Sequence, residues 1–245
     1  IVKTHIFKII YKKNIKSWVY PNFFLYFHTK NKVTMEKKLE RLNIFPVPIY
    51  KVNIDRELTR KEHDSIGLAT SNLVANNSNM TSMDNFVLSK YEELIDIRTF
   101  IKENLNTYAK ETLYFIGNQK LSITQSWINI TMKGQSHHKH THSNSKVSGV
   151  FYINTIEDDG INFFKGRLFE NNSGGLDTGE KDHQKGRYPR VQTIKIKKGD
   201  LILFPSWLEH SVLTNNTSDD RISLSFNTQM KGEFGSKEIL SYVKY

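Results

Sequence analysis

The spacing of apolar positions changes character near Gly117, from helical before it to alternating after it. Asp55 stands where it can cap a helix running to about Ala75, with Leu58, Ile66 and Leu73 as its apolar stripe. Asn76 to Asn85 is a polar run of Asn, Ser and Met that reads as a loop. Ser89 and Glu92 have capping-box spacing, and Leu94, Ile97, Ile101, Leu105 and Tyr108 recur at helical spacing behind them, which predicts a second helix. Beyond Gly117, Leu121 to Met132 alternates. Extended runs follow at 147–154, 161–164, 191–197, 201–204, 211–214 and 221–229. Asn43 to Asn53 contains Pro46 and Pro48, which cannot donate to a central ladder, so it reads as an edge strand. Short strands divided by turn signals predict a mostly β protein, an antiparallel sandwich or barrel preceded by two supporting helices. Residues 166–190 are polar, charged and Gly-rich, and read as a surface loop of the kind that often covers a site.

Composition narrows the chemistry. A chain of 245 residues suits one substantial domain, and the absence of cysteine removes disulfides, thiolate zinc sites, catalytic thiols and iron–sulfur clusters. The net charge of +10 suggests nucleic acid, but seven lysines and no acidic residue lie in residues 1–34, so the remainder carries only +3. That basic leader precedes Met35, which has the look of a natural start. We expect residues 1–34 to be disordered or upstream translated sequence and 35–245 to form a single domain. The longest uncharged run, Ser17 to Thr29, contains Pro21 and is too short to cross a bilayer as a helix. It also lacks a small-residue cleavage site. The expectation is a cytoplasmic protein with no stable membrane insertion, and with no nucleic-acid partner beyond any contact made by the leader.

Four of the nine histidines fall in His137-His138-Lys139-His140-Thr141-His142. Side chains at i and i+2 on extended backbone point the same way, so His140 and His142 can offer two imidazoles to one metal ion. A register shift would promote His138 with His140 instead; otherwise His137 and His138 face solvent or support the ligands from behind. A third ligand is offered by His210, which follows the apolar strand and kink Gly199-Asp200-Leu201-Ile202-Leu203-Phe204-Pro205-Ser206-Trp207. Three such imidazoles cover one face of an octahedral ion and leave the opposite face open, as an oxygen-activating iron site requires. In Arg221-Ile222-Ser223-Leu224-Ser225-Phe226-Asn227, the alternation places Arg221, Ser223 and Ser225 on one face and the apolar residues on the other. An inward arginine suits an anion, whereas a surface pairing with Asp219 or Asp220 is the commoner use. Trp127 and Asn129 share a face of the strand before the histidines: core packing is the default for the first, and a ligand contact is open to the second. His5, His28, His63 and His183 read as surface or tail residues.

Taken in order, His-x-His, Ser-Gly-Val-Phe-Tyr-Ile-Asn, Gly-Asp-Leu-Ile-Leu-Phe-Pro-Ser-Trp-Leu-x-His and Arg-x-Ser resemble the iron(II)- and 2-oxoglutarate-dependent dioxygenase superfamily. More narrowly, the chain is similar to a 2OG-Fe(II) oxygenase family of bacteria and phages related to the prolyl hydroxylases. The resemblance is strongest over Ser126 to Gln229 and extends weakly to 44–48. It implies a double-stranded β-helix, the jelly-roll, cupin-like fold. It makes His140, His142 and His210 the metal ligands and assigns no further catalytic residue. Arg221, Ser223 and Tyr152 become cosubstrate-binding residues. The implied cofactors are Fe(II), 2-oxoglutarate and dioxygen, with ascorbate as reductant. The implied reaction couples decarboxylation of 2-oxoglutarate to succinate with hydroxylation of a substrate C–H bond. The departure is His142, where most of the superfamily has Asp or Glu; a neutral imidazole there leaves the site one unit more positive. Two other readings are a non-oxidative cupin-like metal-binding or sugar-modifying barrel and a structural jelly roll, neither of which needs Arg221-x-Ser223. The substrate is left open among a protein side chain, a nucleotide, a sugar and a small metabolite.

Overall fold

Alternating residues can serve two layers at once, and the second half of the chain uses its alternation in that way. The structure, a computed structural model, describes residues 46–164 and 191–245. In chain order the elements are β1 (Tyr50–Asn53), α1 (Arg60–Ala69), β2 (Leu73–Asn76), β3 (Asn79–Ser82), α2 (Val87–Lys90), α3 (Ile95–Thr112), β4 (Lys120–Thr131), β5 (His137–His140), β6 (Val147–Asn154), β7 (Gly160–Phe164), β8 (Val191–Lys195), β9 (Asp200–Pro205), β10 (His210–Val212), β11 (Arg221–Lys231), β12 (Glu233–Phe234) and β13 (Val243–Lys244). One sheet has the order β1-β9-β6-β11-β4-β3-β2 and the other β5-β10-β7-β8, while β12 pairs with β13. From β4 to β11 the chain passes back and forth between the two main sheets, which is the double-stranded β-helix.

The two faces of the larger sheet bury different things. Leu224 and Phe226 of β11 join Ile128, Phe151 and Leu203 in a core shared with Ile97, Ile101, Leu105 and Tyr108 of α3. Tyr152, Ile202 and Phe204, on the other face, form a second core with Ile161 and Phe163 of the smaller sheet. The period of two on β11 thus divides Arg221, Ser223 and Ser225 from the helix layer. Gly149 of β6 lies opposite Phe226, and a Cβ there would stand 2.1 Å from the Phe226 Cζ. Gly149→Ala is therefore expected to cost about 1–3 kcal/mol through overpacking, read as a lower urea midpoint with an unchanged slope.

The N-terminal half departs from the pattern reading. Two helices were expected, and the described residues hold three α-helices and one 3₁₀ turn. The first begins at Thr59, not Asp55: the Thr59 hydroxyl accepts from the Glu62 amide, and the Glu62 carboxylate accepts from the Thr59 amide. Asp55 instead adopts φ +52, a turn conformation ahead of the helix. That helix ends at Ala69, so Leu73 belongs to β2. The expected loop at 76–85 is largely a hairpin, β2 turning at Asn77 (φ +53) into β3, which pairs with β4. Ser89 caps nothing downstream; it lies in α2, its hydroxyl bonded to the Phe86 carbonyl, and a 3₁₀ turn at Glu92–Leu94 leads into α3. The edge strand is found at the margin of the larger sheet but is confined to β1. The leader 1–34, residues 43–45, the segment 166–190 and His5, His28 and His183 lie outside the described residues; His63 is exposed. No helix among the described residues is long and apolar enough to cross a membrane.

Glu62 gives the helix cap a pH dependence. Burial raises its carboxyl, but the bonds from Arg56 (2.7 and 2.9 Å) and from Thr59 outweigh burial and hold it below the usual carboxylate range. A depressed folded pKa adds stability that is complete above the unfolded value of roughly 4.3 and is lost as pH falls through the folded value. Glu62→Gln is expected to cost about 1–3 kcal/mol at neutral pH, and its deficit against the wild type should close in denaturation curves taken in acid below that range.

Candidate metal centre and cosubstrate pocket

His140 closes β5 and lies opposite His210, the first residue of β10, which on its other side faces Phe163 of β7. His142 falls two residues beyond β5, so its place is set by its amide, which donates to the Ser206 carbonyl at 3.0 Å, rather than by strand alternation. Ligand-capable nitrogens of His140, His142 and His210 all lie within 4.8 Å of one another. The three expected metal-ligating residues are thus brought together.

The local hydrogen bonds set the tautomers. A carbonyl can only accept, so the 2.9 Å contact from His210 Nδ1 to the Leu208 carbonyl and the 2.7 Å contact from His140 Nδ1 to the His138 carbonyl put the proton on Nδ1 in both rings. Each Nε2 then presents a lone pair, the arrangement that orients imidazoles for metal binding. His142 Nε2 sits 3.2 Å from His210 Nε2. Burial is the leading cause that keeps the cluster neutral: it pushes His210 down to about 3 and His142 to about 4, and it lowers His140 as well. The imidazoles are therefore available as neutral donors across the physiological range.

Among the described residues, both groups of converging ligand atoms consist of histidine alone, so no carboxylate joins His142. The second group is His137, His138 and His140. Of the two places expected for His137, facing solvent or behind the ligands, the structure gives the second. His137 is partly buried, stacks on His140 at a 4.5 Å centroid distance, and receives the Asn76 amide at 3.4 Å. His140 belongs to both groups but has one uncommitted nitrogen, so it serves one at a time. The set containing His210, which is 5% exposed, is the more enclosed.

Arg221 is buried on the inner face of β11, and it pairs with neither Asp219 nor Asp220. Its Nε donates to both oxygens of Asp159, at 3.0 and 3.1 Å, and its guanidinium lies 5.0 Å from the Tyr152 ring centroid. Sequence reasoning missed Asp159: it sits in the turn between β6 and β7, and nothing in Glu157-Asp158-Asp159-Gly160 sets it apart from Asp158, which is exposed. Ser223 stands across the ladder from both Asn129 and Tyr152, and Asn129 donates to Ser225 at 2.9 Å. The Tyr152 hydroxyl and the Asn129 Oδ1 are buried with no hydrogen-bond partner among the described residues. Burial raises the Tyr152 hydroxyl far above its ordinary value, so it remains a donor. Buried polar atoms are rarely left orphaned, and these two point to a polar ligand.

Residues 125–227 match the model of a family described as "Putative 2OG-Fe(II) oxygenase". No curated protein matches the chain. Among solved structures, HygX from Streptomyces hygroscopicus, with nickel and 2-oxoglutarate bound, superposes with a TM-score of 0.50 at 14% identity, covering 74% of this chain and 82% of its own. The carbocyclase SnoK from nogalamycin biosynthesis gives 0.52 at 9% identity, over 74% and 79%. The epimerase SnoN from nogalamycin biosynthesis gives 0.52 at 12%, over 75% and 78%. At such identities these likenesses speak for the fold, and the family match falls on the segment that carries all three histidines and Arg221. Neither the non-oxidative barrel nor the structural jelly roll is favoured by these findings. The segment 125–227, which carries His140, His142, His210 and Arg221, is thus similar to the 2-oxoglutarate- and iron(II)-dependent oxygenases, on a fold that these structures share.

Proposed function

We propose that the protein is a hydroxylase of the cytoplasm in which His140, His142 and His210 hold the iron and Arg221, Ser223 and Tyr152 hold 2-oxoglutarate. The observation that carries this reading is the pairing of a neutral three-imidazole cluster with a buried arginine beside an orphaned tyrosine hydroxyl. The residues fit both groups: the imidazoles are preset as nitrogen donors, and the Tyr152 hydroxyl lacks the acceptor that a carboxylate would supply. Iron(II), when bound, supplies the activation of dioxygen that is coupled to loss of carbon dioxide from 2-oxoglutarate.

The protein's own groups orient and neutralise. The guanidinium holds the distant carboxylate of the dianion, and the Tyr152 hydroxyl donates to the same end. Val150, Ile202 and Phe204 line the space between the sheets and keep water from the reacting centre. With imidazole in place of a carboxylate at His142, a dianionic cosubstrate offsets charge that the ligands leave uncompensated.

We expect anaerobically purified protein to bind one iron(II) per chain and to form succinate from 2-oxoglutarate under oxygen with ascorbate. A substrate should gain one oxygen atom, read by mass spectrometry. No succinate from the wild type, or an unchanged rate in Arg221→Ala, would overturn the assignment.

A further inference from the structure

The entrance to the histidine cluster has a distinct chemical character. A cavity of about 380 Å³ opens over His140 and His142. Its walls come from four places: Asn76 at the end of β2, Thr81 of β3, Asn85 ahead of α2, and Gln125 with Trp127 on the inward face of β4. Among the described residues, no Asp, Glu, Lys or Arg lines it. The Trp127 and His142 rings lie 5.9 Å apart at 51°, so the indole forms the wall beside the metal ligands. Gln125 Oε1 accepts from the Asn227 amide at 3.3 Å, which leaves its own NH₂ to donate.

We propose that this cavity takes an uncharged, polyhydroxylated ring, a sugar or cyclitol, seated on Trp127 with a ring C–H bond toward the metal; the proposal rests on the oxygenase reading above. Three properties select that chemistry. Enclosing an ionic ligand without a counter-charge is costly, so a lining of amides, hydroxyls and imidazoles with no Asp, Glu, Lys or Arg among the described residues favours a neutral one. Amides and hydroxyls both donate and accept, as do the hydroxyls of a sugar, so many pairings are satisfied at once. A saturated ring with equatorial hydroxyls has an apolar C–H face that lies against an indole, while its polar rim reaches the surrounding amides. The volume falls within the range of small-molecule sites. A phosphorylated ring finds no cation in this lining.

The test separates binding from turnover. Saturation-transfer NMR of the metal-free protein is run with a panel of neutral monosaccharides and cyclitols, their phosphates, nucleosides and short proline peptides. The expected result is transfer to ring C–H protons of neutral members, retained in Trp127→Phe and lost in Trp127→Ala. The same panel is then added to the iron-loaded protein, where the members that bind should raise succinate formation several-fold. Transfer only to peptides, nucleosides or phosphates, or to no member, overturns this inference even if basal succinate is formed. Transfer to neutral rings without succinate under any condition upholds the binding inference and overturns the oxygenase role of the site instead.

Discussion

Asp159→Asn is expected to lower stability by about 3–5 kcal/mol, the cost of leaving a buried charge without its partner. Both side chains are almost wholly enclosed, with 3% of Arg221 and 2% of Asp159 exposed. The asparagine keeps the shape, and its Oδ1 can still accept from the Gly160 amide as Asp159 does at 2.7 Å. What disappears is the negative charge facing Arg221 Nε. The loss should appear in urea unfolding at neutral pH. Saturating 2-oxoglutarate with metal should recover more stability in the variant than in the wild type, because the ligand's carboxylate then supplies a counter-charge and binding favours the folded state. A loss below roughly 1 kcal/mol, the level of a solvated surface pair, would show that the pair is not enclosed as described.

His210→Ala should abolish stoichiometric iron binding and succinate formation. Changing a group that merely orients a ligand typically costs 10–100-fold in metal affinity, so removal of a ligand should exceed about 100-fold. The ring also packs against Phe204 at 4.7 Å, and its loss leaves a small void beside the two remaining imidazoles. His138→Ala is the informative companion, because it removes a member of the outer histidine group and leaves the inner three intact. Metal analysis after gel filtration should give one iron per chain for His138→Ala and none for His210→Ala. The opposite order would place the metal in the outer group.

The strands β6, β9 and β11 were legible because each is buried on both faces, and on β11 this writes a period of two into the sequence. The apolar stripe of α3 was legible for the same reason at helical spacing. The hairpin of β2 and β3 was not: Asn79, Thr81 and Ser82 are polar, and what makes them strands is pairing with β4, together with bonds such as that from the Ile128 amide to the Ser82 hydroxyl. Those partners are distant in sequence. The start of α1 could have been read from Thr59-x-x-Glu62, a capping box, but Asp55 offered a competing cap. His140, His142 and His210 emerged from spacing and motif together, although the rule that paired the first two assumed a strand that ends at His140. Asp159 left no trace, because an ion pair between a turn and a strand 62 residues away has no local pattern.

The two ends of the site belong to parts of the fold with different resistance to opening. Arg221 and Ser223 lie on β11, which is hydrogen-bonded on both sides, to β4 and to β6. His140 lies on β5, a four-residue strand at the margin of the smaller sheet among the described residues. Amide hydrogen exchange should be slowest along β11, near the limit set by global unfolding, and much faster along β5, whose outer side pairs with no strand among the described residues. A metal held as proposed would then leave and return by fraying of β5 while Arg221 stays in place, and reloading it would require no refolding of the protein.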